Sequence, residues 1–141
     1  MSNAHALQVP QETYSATRLD RDLANLPLEP WPDFPPEDVL AGNPNDHSGT
    51  VFYRDPTGHY SAGLWECPVG KFKVTYPGSE FAHVVKGHAT LTNVATGEAM
   101  ELKVGDHFFV PAGADMIWDV HEDVRKAYTI HEGEWVDGRF Y

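Results

Sequence analysis

The chain has 141 residues, of which 41% are hydrophobic and 22% charged, as is typical of one soluble globular domain. Its formal net charge is −11, and no run of lysines and arginines reverses that field locally, so binding to nucleic acid or to an anionic membrane surface is disfavoured. No apolar run approaches the roughly 18 residues that span a bilayer. The single cysteine, Cys67, cannot form an internal disulfide, and no apolar leader opens the sequence, so we expect a cytoplasmic protein.

Residues 1–48 are predicted to form an arm ahead of the main domain. A short helix is possible over residues 17–26, and half of the next segment, residues 27–36, is proline. Proline fixes φ and has no backbone N–H, so this segment is expected to be extended and to stay outside any sheet ladder. Trp31 and Phe34 would gain much from burial, so we expect the arm to lie on the main domain or on a second subunit.

Residues 49–141 predict an all-β barrel with a C-terminal tail. Apolar or alternating segments recur between turn-forming residues, and none of them shows a sustained helical period. The strand spacing is near ten residues without an internal repeat, which favours a jelly roll over a propeller. The predicted strands are 50–54, 60–67, 70–76, 80–86, 89–94, 98–103, 107–110, 114–120 and 125–130.

Two spaced motifs resemble the conserved boxes of the cupin superfamily. Glu80 stands seven positions before Gly87, which fits the end of the first box. Gly105, Pro111 and Gly113 have the spacing of the second box. The resemblance implies a cupin jelly-roll β-barrel, here preceded by the proline-rich arm.

The same resemblance implies that three of the four usual metal ligands are missing. Metal-binding cupins carry a His-x-His pair shortly before the glutamate, and these positions hold Val74 and Tyr76, or Lys73 and Thr75, in this chain. A further histidine follows the second box in those cupins, and Met116 takes its position here. None of the eight histidines has the spacing of another metal motif. We therefore expect no metal cofactor, because Glu80 with water would hold a divalent ion only weakly.

A longer ordered set of residues resembles one cupin branch, the (S)-ureidoglycine aminohydrolase-type family, which includes an ethanolamine-utilisation cupin. The similarity covers about residues 60–130 and identifies the chain as a single-domain member. It is carried by Trp65-Glu66, residues 72–76, 80–87 and 111–113, Trp118, and Arg125-Lys126-x-Tyr128. Ureidoglycine aminohydrolase activity itself is not expected, because that enzyme is a two-domain cupin that relies on a metal.

Strand alternation predicts which residues face the interior. If Glu80 points inward, as its cupin counterpart does, then Phe81 and His83 point outward. Two further inward rows are Phe72, Val74 and Tyr76, and Met116, Trp118 and Val120. Lys126 and Tyr128 are expected near the pocket on the resemblance alone.

The expected pocket is aromatic and apolar with a few polar groups, as small-ligand sites usually are. Substrate-binding roles are predicted for Phe72, Val74, Met116, Trp118 and Tyr128. Glu80 is the candidate catalytic acid or base, with Tyr76 or Lys126 as its catalytic partner. Desolvation would favour protonated Glu80, whereas a close Lys126 would keep it ionised, and the sequence leaves the outcome open. The structural alternative is that Glu80 only pairs with Lys126 or Tyr76, while Met116 and Trp118 pack the core.

Three functions follow from these observations. The first is a small-molecule-binding cupin of unassigned reaction that needs no metal. The second is a metal-independent isomerase, lyase or amidohydrolase-like enzyme that uses Glu80 with Tyr76 or Lys126 for proton transfer. The third is a structural cupin with a vestigial pocket. An unidentified small molecule and a second copy of the chain, in a homodimer, are the expected partners, whereas the ligand and any exchange of arms between subunits stay open.

Overall fold

The computed structural model describes residues 16–19, 21–133, 135–136 and 139–140. The strands are β1 (Glu29–Pro30), β2 (Val39–Gly42), β3 (Ser48–Arg54), β4 (Tyr60–Cys67), β5 (Gly70–Thr75), β6 (Ser79–Asn93), β7 (Ala99–Lys103), β8 (His107–Val110), β9 (Asp115–His131), β10 (Trp135–Val136) and β11 (Arg139–Phe140). Short 3₁₀ turns cover Pro36–Asp38 and Pro44–Asp46. Across these described ranges, no helix is long and apolar enough to cross a membrane.

The prediction of an all-β jelly roll is confirmed, and the main sheet is organised around its longest strand, β9. One edge of β9 pairs with β6, while the other edge pairs first with β5 and then with β4. All of these pairings are antiparallel, and β6 pairs in turn with β7 and β8. Because one strand is shared by both halves, the sheet curls around a single interior.

Two pairs of predicted strands are single strands in the structure. Residues 80–86 and 89–94 lie in β6, and residues 114–120 and 125–130 lie in β9. Turn-forming residues lie at both predicted breaks, Gly87 in β6 and residues 121–123 in β9, but the pairing of the two strands continues past them. Gly87 has a φ of 84°, and the β6–β9 register shifts between Val84 and Ala89. This bulge bends the strand without ending it.

The predicted helix over residues 17–26 is wrong for the residues of this segment that the structure describes. The backbone instead makes a turn at residues 23–25. The Leu23 and Leu26 carbonyls both accept hydrogen bonds from Nη1 of the buried Arg125, at 2.7 and 2.8 Å. A long-range contact to β9 thus satisfies backbone groups that a helix would have paired locally.

The described part of the arm also joins the sheet, contrary to expectation. Pro30 lies in β1, which pairs with the start of β3, and β2 pairs with β5. Proline is tolerated in β1 because this strand lies at the end of the sheet, where no further strand requires its missing N–H. Trp31 and Phe34 pack against the core of the same chain.

The core consists of two groups of buried side chains. The larger group fills the curled sheet and includes Phe72, Trp118 and Cys67. The smaller group packs Leu26 of the arm against Phe52 and Leu64. Cys67 is buried, and its burial raises the pKa of the thiol to about 12, which keeps the thiol protonated at neutral pH.

The bulge at Gly87 leads to a stability prediction. A Cβ atom at Gly87 would overlap the backbone carbonyl of Asp123, whereas a Cβ atom at Gly97 would have nothing within 4 Å, although φ is also positive there at 75°. Gly97→Ala should cost about 1–2 kcal/mol through backbone strain alone, and Gly87→Ala about 3 kcal/mol or more because a clash is added. Urea unfolding of both variants measures the difference, and equal losses would contradict this account of the bulge.

Candidate ligand-binding pocket

A cavity of about 260 Å³ lies inside the curled sheet, with the arm on one side. Strands β4, β5, β6 and β9 supply most of its walls, and residues of the arm, the end of β3 and the segments that follow β5 and β9 supply the rest. It is lined by Trp31, Phe34, His47, Arg54, Ser61, Trp65, Phe72, Val74, Tyr76, Pro77, Glu80, Trp118, Lys126, Tyr128, Ile130 and Glu132.

A buried ion pair lies in this cavity. The Lys126 Nζ atom is 2.6 Å from the Glu80 Oε2 atom, and the two side chains are only 8% and 6% exposed. The strand register explains their meeting, because Glu80 pairs with Ile130 and Val84 with Lys126, so both charges have the inward parity of the β6–β9 ladder. Among the described residues, no hydrogen-bond donor other than the Lys126 ammonium group contacts the Glu80 Oε2 atom.

Aromatic rings surround the ammonium group. Its nitrogen lies 4.6 Å from the Trp65 ring centre and 4.9 Å from that of Trp118, with Phe108 and Tyr128 each at 5.9 Å. Ring faces attract cations, and the attraction is stronger where water is excluded. Burial lowers the pKa of Lys126, but the Glu80 carboxylate and the nearby phenols outweigh it and raise this pKa above its ordinary value. Lys126 is therefore a fixed cation at physiological pH.

Two phenols add hydroxyl groups to the polar part of the pocket. Burial raises the pKa of Tyr76 and raises the pKa of Tyr128 to about 12, although the Lys126 charge opposes both shifts. The Trp118 Nε1 group donates a hydrogen bond to the Tyr76 oxygen at 3.1 Å. Both phenols keep their protons near neutral pH, so each can donate a hydrogen bond into the cavity and neither is suited to be a base.

The arm is held over the cavity by stacked rings. Phe34 stacks on both His47 and Phe72, with ring centres 4.2 Å apart in each pair. Trp31 contacts Tyr128 edge to face at 6.4 Å, and its ring lies so close to Gly49 that a side chain there would overlap it. These rings build one wall of the cavity from residues distant in the sequence.

His47 links the arm to β4. Its Nδ1 atom accepts a hydrogen bond from Trp65 Nε1 at 3.0 Å, and its Nε2 atom is 2.7 Å from the Pro32 carbonyl. Indole can only donate, so Nδ1 carries no proton and the proton resides on Nε2, which donates to Pro32. His47 is therefore a neutral positioning residue that orients Trp65 over the ammonium group.

Seven of the eight residues predicted for the site line the cavity: Phe72, Val74, Tyr76, Glu80, Trp118, Lys126 and Tyr128. Met116 does not; it is buried in the core with 6% of its surface exposed. The site prediction missed nine lining residues: Trp31, Phe34, His47, Arg54, Ser61, Trp65, Pro77, Ile130 and Glu132. The sequence predicts that Trp31 and Phe34 of the arm are buried, but no local pattern indicates which surface they cover.

The donor set does not fit the divalent metal that a metal-binding cupin would carry. Of the residues at the four positions where metal-binding cupins carry their ligands, Glu80 is the only carboxylate. It already contacts the Lys126 ammonium group, which would repel a metal cation. Within the residues that the structure describes, no three His, Cys, Asp or Glu side chains are grouped so that they could hold an ion.

Comparison with known proteins gives a consistent family. The family model of EutQ-like cupin domains matches residues 54–128. The structure of a protein named for ethanolamine utilization, protein q of Salmonella typhimurium LT2, is 25% identical with a TM-score of 0.55, covering 62% of this chain and 71% of that one. No curated protein matches.

Two further solved structures share the fold. The Clostridium difficile EutQ protein is 16% identical with a TM-score of 0.63, covering 89% of this chain and 94% of its own. A DUF861 family protein of unknown function from Pseudomonas syringae pv. tomato is 21% identical with a TM-score of 0.69, covering 87% of this chain and 51% of its own.

The ion pair predicts an asymmetric response to substitution. Lys126→Met leaves a buried carboxylate without a partner and should cost about 3–5 kcal/mol. Glu80→Gln should cost less, because the aromatic rings still stabilise the ammonium group. The double variant removes both charges and should recover most of the Lys126→Met loss. Urea unfolding of the four proteins gives the coupling energy, and strictly additive losses would show that the pair is not coupled.

The raised pKa values predict that the fold weakens in alkali. A group whose folded-state pKa lies above its unfolded value contributes stability that is complete below the unfolded pKa and is lost as pH rises through the folded one. For Tyr128 this window runs from about pH 10 to about pH 12, and up to about 2–3 kcal/mol is lost across it. Unfolding free energies of wild type and Tyr128→Phe at pH 8, 10 and 11.5 test this, since the variant should show a shallower decline. Identical slopes would contradict the assignment.

Proposed function

This chain belongs to the family of EutQ-like cupin domains, and we propose that it binds a small molecule without a metal ion. The observation that carries the proposal is the cavity with the buried Glu80–Lys126 pair. A protein that needed only a packed core would fill this space with apolar side chains, because two buried charges lose several kcal/mol of hydration. A cavity that keeps them is better explained by a ligand that contacts them.

The charges of the lining indicate the chemical class of the ligand. Arg54 and Lys126 bring two positive charges, Glu80 and Glu132 bring two negative ones, and His47 is neutral through its hydrogen bonds. The lining thus has no net charge, although the whole chain carries −11. A simple anion would be repelled by Glu80 and a simple cation by Lys126. A neutral polar molecule or a zwitterion suits such a dipolar site best.

The size and walls of the cavity narrow this class further. Its volume of about 260 Å³ lies just below the range that holds drug-sized molecules, so the ligand is a small metabolite. Trp65, Phe72 and Trp118 offer flat apolar surface, and Tyr76 and Tyr128 offer hydroxyl donors. We propose that the ligand has a planar or aliphatic body whose polar end contacts Glu80 and Lys126.

Metal independence is part of the proposal. It is supported by the chemistry at the box positions, where Val74, Tyr76 and Met116 replace three nitrogen donors. It is supported further by Lys126, which supplies the positive charge that a buried carboxylate requires. We therefore expect ligand binding in solution to persist in the presence of EDTA.

The alternative proposal is an enzyme that transfers a proton with Glu80, assisted by Tyr76 or Lys126. It is supported by the placement of a carboxylate, an ammonium and a protonated phenol in one cavity. The raised pKa of Lys126 argues against this enzymatic alternative, because a group that holds its proton firmly is a poor acid catalyst. Homodimerisation and a cytoplasmic location stay predictions.

A thermal-shift screen of the full chain tests the proposed function. Three compound sets are compared: neutral polar molecules with zwitterions, simple anions, and simple cations, each with and without EDTA. A ligand at about 100 times its Kd stabilises the fold by about 2.7 kcal/mol, which raises Tm by several degrees. The first set should contain the stabilising compounds, and their effect should survive EDTA.

Two variants assign the effect to the cavity. Glu80→Gln should abolish or reduce the shift relative to its own ligand-free Tm, whereas Phe81→Ala, on the outer face of the same strand, should keep it. If Glu80→Gln instead binds a compound but no longer converts it, the enzymatic alternative is supported. A full shift in Glu80→Gln, or stabilisation that EDTA removes, would refute the proposal, and no shift with any set would favour a vestigial pocket.

A further inference from the structure

Two histidines face each other on the outer surface of the barrel. His83 on β6 and His107 on β8 are directly opposite in the antiparallel ladder. Their Nδ1 atoms are 2.9 Å apart, with ring centres at 4.5 Å and planes tilted by 31°. His83 has the parity of the outward-facing Phe81, which is 52% exposed, whereas Glu80 points inward. The pair is therefore separate from the cavity.

The nitrogen chemistry of this contact provides two ligand atoms once the shared proton has moved. At 2.9 Å one Nδ1 atom carries a proton and donates it to the other, whose lone pair accepts the hydrogen bond. When the donating ring adopts its other neutral tautomer, with the proton on Nε2, both Nδ1 lone pairs become available on the same side of the sheet. Neutral imidazole is the commonest protein ligand for transition metals.

The distance between the nitrogens suits a particular geometry. If a metal ion bound both nitrogens at about 2.0–2.1 Å while they stayed 2.9 Å apart, the N–metal–N angle would be about 90°. That is the angle between neighbouring ligands in square-planar and octahedral complexes, which Cu²⁺ and Ni²⁺ adopt. A tetrahedral angle would require the nitrogens to separate to about 3.3 Å. Among divalent first-row ions, Cu²⁺ also binds nitrogen sites most tightly.

We propose that His83 and His107 form a bidentate surface site for a divalent transition metal, with Cu²⁺ as the best-fitting ion. The paired strands fix the two backbones, and the Phe81 ring lies parallel to His107, with ring centres 6.2 Å apart and planes 6° apart. Within the described part of the chain, no third His, Cys, Asp or Glu completes the site, so water or a partner's side chain fills the other positions. Such a site exchanges its metal readily.

A second histidine pair lacks this arrangement. The rings of His88 and His121 are 4.8 Å apart, but His121 Nε2 is bonded to Thr90 Oγ1 at 2.7 Å, and His88 Nε2 lies 3.7 Å from Glu101. These nitrogens are directed at different partners rather than at each other. The second pair thus provides a control within the same chain.

The test uses untagged, full-length protein that has been stripped with EDTA and desalted. Titration with CuCl₂, followed by calorimetry, should show one ion per chain at this site, and the electron paramagnetic resonance spectrum should show coupling to two imidazole nitrogens. His83→Ala and His107→Ala should each weaken binding on the order of tenfold or more, because one nitrogen alone lacks the chelate effect. His121→Ala, His59→Ala and His5→Ala should bind as wild type does.

Two outcomes would overturn the proposed copper site. Unchanged affinity in both His83→Ala and His107→Ala means an adventitious ion only. Loss of binding in a control variant assigns the copper to another histidine. Circular dichroism of each variant checks that the exposed substitutions leave the fold intact. Copper binding should also persist in Glu80→Gln, so a failure here is distinguishable from a failure of the proposed pocket function.

Discussion

Two opposite charges lie buried inside the curled sheet, and much of the surrounding structure can be understood from the need to keep them there. Taking Glu80 and Lys126 out of water costs several kcal/mol for each ion, which a contact at 2.6 Å repays only if the remaining surroundings are favourable. Trp65 and Trp118 provide such surroundings, because their ring faces attract the ammonium group. His47 in turn fixes the indole of Trp65, and residues of the arm hold His47. A chain of contacts therefore runs from the ion pair to the arm.

The same pair explains how a cupin interior can keep a buried glutamate among apolar side chains. A carboxylate buried among aromatic rings needs a positive charge nearby, or it must take up a proton. Lys126 meets that requirement from within the chain. Substituting Val74 and Met116 for nitrogen donors then leaves no uncompensated charge, and these two side chains become part of the apolar wall and the core. The buried glutamate and the apolar residues around it are thus parts of one electrostatic arrangement.

The sequence predicted the features that depend on local pattern. It failed for the features that are determined by contacts between distant segments. Strand alternation correctly separated the inward Glu80 from the outward Phe81, because the period of a strand is a local property. The break predicted between residues 86 and 89 is a bulge, because the positive φ of Gly87 can serve a turn or a bulge and only the pairing with β9 determines which. The helix expected over residues 17–26 gave way to carbonyl contacts with Arg125, about one hundred positions away. Met116 has inward parity, but parity does not say whether an inward side chain reaches the cavity or fills the core.

The wall formed by the arm has consequences for specificity within the family. The family model covers residues 54–128, whereas Trp31, Phe34 and His47 lie before it and still line the cavity. The strands and boxes therefore supply the ion pair and the inner rings, and the arm supplies the outer rings and the fixed tautomer of His47. Two members with the same box residues would differ in the shape of the pocket wherever their arms differ. Because the arm contributes aromatic stacking rather than charge, a change in the arm would alter the shape of the cavity and leave the Glu80–Lys126 pair in place.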